Sequence, residues 1–450
     1  MTRVLVPSGV LGLGFDRAAL ERGIAAAPDI IAIDGGSTDS GPFALGSGTS
    51  KYSRTLTKSE WATLMAARSA ANVPLMIGSA GTSGTDAGVD WMLDITGEIA
   101  REQGERLRVA VIHSSMAPDG VLEALAAGTL TPLDPAPACT PETIAACTNI
   151  VAVLGAEPFM AALEAGVDIV IAGRCTDTAT IAALPLLAGD DPGACWHGAK
   201  IGECGALCST DPLSGCILLD FDARGFTVRP TATGAQCTPR SVHAHMLYEN
   251  ADPLHLHEPG GTLDVTHATY TDMGNGAVGV NHSHWHPADA YRVKLEGAMP
   301  AGYRTVILML VRDRYYVRNI EAWCRQLHAH LAATIRERTD FDPGSYTLEL
   351  RLVGLNATLG ALEVRPSDPA EVGVLCIVNA PTQSMATEIA KLCNPFLLHF
   401  PLAGCEEMPT FAFPFSPAEL ECGPQYEFCL NHVMTQDDPL AASRMTLVSI

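Results

Sequence analysis

Residues 168–179 read DIVIAGRCTDTA, and the fold turns on how they are read. Residues 169–172 are apolar without interruption, the pattern of a short strand buried on both faces rather than one. The run stops at a glycine, then an arginine, a thiol, a carboxylate and two hydroxyls. In parallel sheets ligands sit beyond the carboxyl ends of the strands, so a buried strand ending in such a cluster points to that architecture. The same texture recurs upstream in RVLVP (3–7), IIAID (30–34), PLMIGSA (74–80), RVAVIHS (108–114) and NIVAVLG (149–155). Helical stretches lie between these runs. Asp16 can cap a helix to about residue 26, and Thr57 with Glu60 forms a T-x-x-E capping box ahead of a helix to about residue 71. Another helix is expected from about Asp86 to Glu102, and Thr140-Pro141 starts a further one. Six apolar strands alternating with helices predict an α/β fold whose N-terminal part is a parallel sheet covered by helices.

Beyond residue 200 the pattern changes. CILLDFDARGFTVRPTAT (216–233) reads as a hairpin with DARG at its turn, and turns with short strands continue to about residue 300. From residue 301 strands and helices return: TVILMLVRD, a helix over 319–338, YTLELRLVGL, VGVLCIVNA and a helix over 382–393. The last forty residues show little regular pattern. At 450 residues the chain exceeds the limit of about 250–300 residues for a single core. The expected division is an α/β parallel-sheet domain (1–200), a β-rich segment packed on it (201–300) and an α+β C-terminal domain (301–450).

Hydrophobic residues make up 47% of the chain and charged residues 17%, which leaves apolar surface for a large core and for a homo-oligomer interface. The net charge of −22 repels phosphate backbones, so nucleic acid is not an expected partner, and an anionic substrate must meet a local basic feature. Fourteen cysteines carry no C-x-x-C pair and are spaced irregularly, as expected of reduced core thiols in a cytoplasmic protein. No run of about 18 apolar residues is present, so no membrane span is expected.

The candidate chemistry lies after the strands. Arg174 could grip a carboxylate or phosphate through two parallel hydrogen bonds, and Asp177 could act as a base or cap the following helix. IDGGSTDSGP (33–42) sets Asp34 and Asp39 on a glycine-rich loop, where the amides of Gly35 and Gly36 and the hydroxyl of Ser37 could cradle an anion. The two carboxylates could equally hold a divalent cation or work as acid and base. GSAGTSGTDAG (78–88) precedes a helix and offers Ser83 and Gly84 as anion contacts, but it lacks the Gly-Lys-Ser/Thr ending of a nucleotide loop. No dinucleotide fingerprint is present, so no organic cofactor is expected. His113 ends a strand in the equivalent position. In GECGALC (202–208) Glu203 is the acid–base candidate, since a neighbouring carboxylate raises the pKa of Cys204 rather than activating it. His243-x-His245, His255-x-His257 and His282-x-His284-x-His286 have the alternation that would let a strand ligate a metal, with His282 and His284 the first candidates. A helix through SVHAHMLYE would split the His243/His245 pair.

DIVIAGRCTDTA, GECGALCSTDPL, RPTATGAQCTPRSVHAHMLYENADP, VKLEGA and LVGLNATLG together resemble the acyclic terpene utilisation family, in motif order and over about residues 30–360. The resemblance implies a cytoplasmic enzyme, or enzyme subunit, of carboxylic-acid or acyl-CoA catabolism, and relatives are often encoded beside a small companion chain. Gly173, Arg174, Asp177, Glu203, Cys204 and Gly205 match its motifs as positions, without roles to carry over. Cys175 stands where relatives have an apolar residue. Residues and resemblance together lead to one expectation: a hydratase, dehydratase or isomerase acting next to a carbonyl, with Arg174 on the carboxylate and Asp177 or Asp34 moving the proton. The alternatives are a metal-dependent hydrolase or lyase, and a binding subunit that needs the companion chain.

Overall fold

The computed structural model describes residues 1–405 and 411–450. The protein is mixed α/β, built on a large mixed sheet, and the chain divides into two compact units: residues 1–299 with 428–450, and residues 300–427.

The first unit is organised by a ten-stranded sheet. Its centre is parallel, in the order Thr2–Val6, Ile30–Asp34, Leu75–Gly78, Ile169–Ala172, Arg108–His113. Successive residues of each strand point to opposite faces, and because both faces are covered both sets are apolar. Val4, Ile30, Met76, Val170 and Ala110 enter one core with Phe159, Ile181 and Trp196. Leu5, Ile31, Ile77, Ile171 and Val111 enter the other with Trp61, Leu64 and Met92. Antiparallel strands extend the sheet at both sides: the expected hairpin Ile217–Phe221/Gly225–Pro230 beside Thr2–Val6, and Arg444–Ser449 beside Arg108–His113.

Three local expectations are corrected. NIVAV is a strand, Asn149–Val153, but it leaves the parallel sheet and pairs antiparallel with Lys294–Ala298. Apolar content alone does not choose between two buried sheets. The helix Arg54–Ala71 starts a turn earlier than the Thr57/Glu60 signal implies. Ser53 accepts from the Leu56 amide as its cap, while Glu60 reaches out to the Gly12 amide at 2.7 Å. The C-terminal residues contain the strands Leu420–Gln436 and Arg444–Ser449, whose mixed polar and apolar sequence hid them.

In the second unit Thr347–Val353, Val372–Ala380 and residues 303–311 pair antiparallel. The helices Ile320–Arg338 and Gln383–His399 supply Trp323, Leu327, Ile389 and Leu397 to its core. Among the described residues no helix is long and apolar enough to cross a membrane.

Candidate functional site: carboxyl groups at the strand ends

Three parallel strands deliver the site. Ile30–Asp34 ends on Asp34, Leu75–Gly78 runs into Ser79, and Ile169–Ala172 runs into Gly173 and Arg174. The turns are tight enough to require glycine. Gly84 has φ +64°, and a Cβ there would lie 2.1 Å from the Arg174 amide nitrogen. Gly36 has φ +138°, and its Cβ would meet the Thr82 backbone at 2.7 Å. Ser79 itself sits at φ 45°, a left-handed conformation uncommon for a residue with a side chain. Its hydroxyl accepts from Arg174 Nη1 at 3.2 Å and from the Cys175 amide at 3.4 Å.

Arg174 is the electrostatic centre and is 8% exposed. Nε donates to Glu296 Oε2 at 3.1 Å, Nη1 also donates to the Cys175 carbonyl, and the Asp177 carboxylate lies 3.6 Å away. Nη2 has no hydrogen-bond partner among the described residues. Glu296 also accepts from Thr38 at 3.1 Å and from Lys294 at 2.8 Å. Burial opposes its charge, but Arg174 and Lys294 hold its pKa down to about 2. Glu296 therefore serves as the fixed anion of the site.

The other carboxyls move the opposite way. Burial and the nearby Asp177 charge hold Asp34 well above the ordinary range, against the pull of Arg174. Asp34 Oδ2 accepts from the Gly36 amide at 3.0 Å, while Oδ1 is buried without a partner among the described residues. Burial raises Asp177, opposed by Arg174. Burial pushes Glu258 up to about 7; it accepts from the Thr178 hydroxyl through one oxygen, and the other is buried unpartnered among the described residues. Glu203 is pushed up to about 8 by burial, although it contacts the Lys200 ammonium.

Two cavities meet at these groups. One, of about 370 Å³, is lined by Asp34, Gly36, Ser37, Asp39, Tyr52 and Asp177 among others. The second, of about 600 Å³, is lined by Arg174, Asp177, Lys200, Glu203, Glu258 and Lys294 among others. Asp39, Asp177 and Glu249 line both. A third cleft of about 410 Å³ shares Val153, Thr176, His257, Glu258 and Lys294 with the second and adds Leu133, Pro259 and Val433. A charged chamber thus adjoins an apolar one.

The expected site residues separate accordingly. Asp34, Gly36, Ser37, Asp39, Arg174, Asp177 and Glu203 come together around the two polar cavities, while the Gly35 amide is spent on the Gly78 carbonyl at 2.8 Å. Ser83 is fully buried and donates to the Ala44 carbonyl at 3.1 Å, Gly84 packs on the Arg174 backbone, and His113 pairs with Asp90 at 3.0 Å. Of the metal candidates, His282 is exposed and bonded to Thr269 at 3.2 Å, and His284 is exposed on the strand His284–Pro287. His243 and His245 are split by the helix Pro239–His245: His243 stacks on Tyr270, and His245 is buried. Sequence reasoning missed Glu296, Lys294, Glu258 and Lys200. A signal existed for the first two: in VKLEGA a lysine and a glutamate two apart on a strand share one face.

A family model described as acyclic terpene utilisation family protein AtuA matches residues 46–188 and 219–414. It covers the Arg174, Asp177, Glu258 and Glu296 positions and passes over 189–218, which carries Lys200 and Glu203. Comparisons with curated proteins and with solved structures gave no match. With the match extending over well more than half of its length, this chain belongs to the acyclic terpene utilisation family.

Proposed function

We propose that this protein is a cytoplasmic enzyme of carboxylic-acid or acyl-CoA catabolism that adds water, removes water or isomerises next to a carbonyl. One observation carries the reading. Asp34, Asp177 and Glu258 converge on connected cavities where burial raises each carboxyl above its ordinary pKa, Glu258 to about 7, while Arg174 and Lys294 hold Glu296 down to about 2. A carboxyl poised near the working pH can both give and take a proton, and carboxyls driven apart in pKa divide acid from base. In this reading Asp177, with Asp34 behind it, moves the proton α or β to the carbonyl. The free Nη2 of Arg174 and the Lys294 ammonium receive the substrate's carboxylate or carbonyl oxygen. The cleft at Leu133, Val153, Pro259 and Val433 takes the apolar part of the acyl chain, which complements a substrate polar at one end only.

The test is turnover of a panel of 3-hydroxyacyl and α,β-unsaturated substrates, as free acids and as CoA thioesters. The wild type is expected to convert at least one of them, and Asp177→Asn to lose about 10²- to 10⁴-fold in kcat. Saturable binding with no turnover of any member would defeat the enzymatic reading and favour a binding subunit that needs a companion chain.

A further inference from the structure

The geometry points to a binding site for a transition-metal dication of borderline softness, zinc or cobalt, made by Glu203, Cys204 and His245. A carboxylate oxygen of Glu203, the Cys204 sulfur and a ring nitrogen of His245 all lie within 4.8 Å of one another. Tetrahedral bonds of about 2.0–2.3 Å need ligand atoms somewhat under 4 Å apart, so the three donors close on a metal by moving about 1 Å or less each.

The chain fixes the three donors from two sides. Glu203 and Cys204 lie between the helix Pro192–Gly202 and the 3-10 turn Gly205–Cys208. His245 is the last residue of Pro239–His245, a helix held by a capping box between Thr238 and Ser241. The Ser241 hydroxyl also donates to the Cys208 carbonyl at 2.7 Å, which ties that helix to the turn. Gly205 sits at φ +58°, and a Cβ there would meet the Gly215 carbonyl at 2.5 Å, so the turn beside Cys204 requires glycine.

An independent observation points to a ligand. His245 is 5% exposed, and its Nε2 is buried with no hydrogen-bond partner among the described residues. A buried imidazole nitrogen left bare is costly, and a metal bond to it would remove that cost. The imidazole, thiolate and carboxylate donor set suits zinc-class ions rather than magnesium or calcium, which take oxygen ligands. The charges around the cluster are mixed. The Lys200 ammonium already contacts one oxygen of Glu203, and the Asp177, Glu249 and Glu258 carboxyls face the cluster from the cavity side. Metal entry releases the protons of Cys204 and of Glu203 to solvent. Three protein donors leave a fourth position open, and Cys204 and Glu203 each line one of the polar cavities, so that position faces the space that Asp177 lines.

The site is independent of the acid–base reading, and its test uses no substrate. Untagged full-length protein, stripped with a chelator, is titrated with Co²⁺ and followed by absorbance. The expected result is one Co²⁺ per chain with a thiolate-to-cobalt charge-transfer band, bleached by stoichiometric Zn²⁺. Cys204→Ser, close to isosteric, abolishes the band, and His245→Gln weakens binding by about 100-fold or more, at least as much as loss of an outer-shell partner would. The double variant His282→Ala/His284→Ala leaves both unchanged. Absence of Co²⁺ binding, or a charge-transfer band that survives Cys204→Ser, overturns the inference. If His245→Gln does not fold, the band in Cys204→Ser still decides.

Discussion

Arg174 is buried with more carboxyl groups around it than it can neutralise, and the site's properties follow from which of them it keeps charged. Glu296 is the one held by hydrogen bonds, so removing its charge strands a buried guanidinium. Glu296→Gln is expected to destabilise the protein by about 3–5 kcal/mol, read as a drop of several degrees in Tm. An unchanged melting curve would show that Arg174 is held by something else. Glu258 behaves in the opposite sense. Its pKa rises from 4.5 in the unfolded chain to about 7 when folded, so the folded state binds the proton more tightly. Its effect on stability is therefore neutral below about pH 4.5 and becomes a growing penalty as pH rises to about 7, reaching roughly 3 kcal/mol above that. Glu258→Gln keeps an acceptor for Thr178 and has no charge to bury. Its Tm is expected to exceed that of the wild type at pH 8 and to match it near pH 4, and parallel Tm profiles across that range would contradict the assignment. These residues show how far sequence carries a site. Arg174, Asp177 and Asp34 follow their own strands and could be placed by counting. Glu296 and Glu258 reach the same cavities from strands whose position depends on tertiary pairing, and that pairing leaves no local trace.

At the scale of elements, the parallel strands were legible because burial on both faces makes each of them apolar throughout, and the turns after them because a glycine or a cap was needed there. The same logic failed for Asn149–Val153. Its five residues look like the others, but its partner is Lys294–Ala298, more than a hundred residues later, and nothing within the segment names that partner. The hydroxyl- and glycine-rich loop at 78–88 suggested an anion cradle, yet Ser83 turns inward to Ala44. What the loop contributes is a close backbone approach: Gly84 lets the Arg174 peptide lie against it. Gly84→Ala combines a left-handed φ with a Cβ overlapping that peptide, so it is expected to cost more than about 2 kcal/mol and to reduce activity by displacing Arg174. A fully active, equally stable Gly84→Ala protein would show that the two loops do not depend on each other.

At the scale of the whole molecule, a net charge of −22 surrounds a site that is asked to accept a carboxylate or a thioester. Burial raises the pKa of Asp34, Asp177 and Glu258, the last to about 7, and so weakens the negative charge set against Arg174 and Lys294. Substrate affinity should accordingly fall as pH rises above about 7 and Glu258 ionises, seen as an increase in KM without a matching loss of kcat. A KM flat from pH 6 to 9 would count against this. The central claim is that these carboxyls exchange a proton with a carbon next to a carbonyl. The most direct measurement is hydrogen–deuterium exchange at that carbon, followed by NMR in D₂O with an acyl thioester or free acid that the protein binds. The account predicts exchange with the wild type and its loss in both Asp177→Asn and Asp34→Asn while binding persists. Exchange undiminished in both variants, or no exchange with a bound substrate in the wild type, would contradict it.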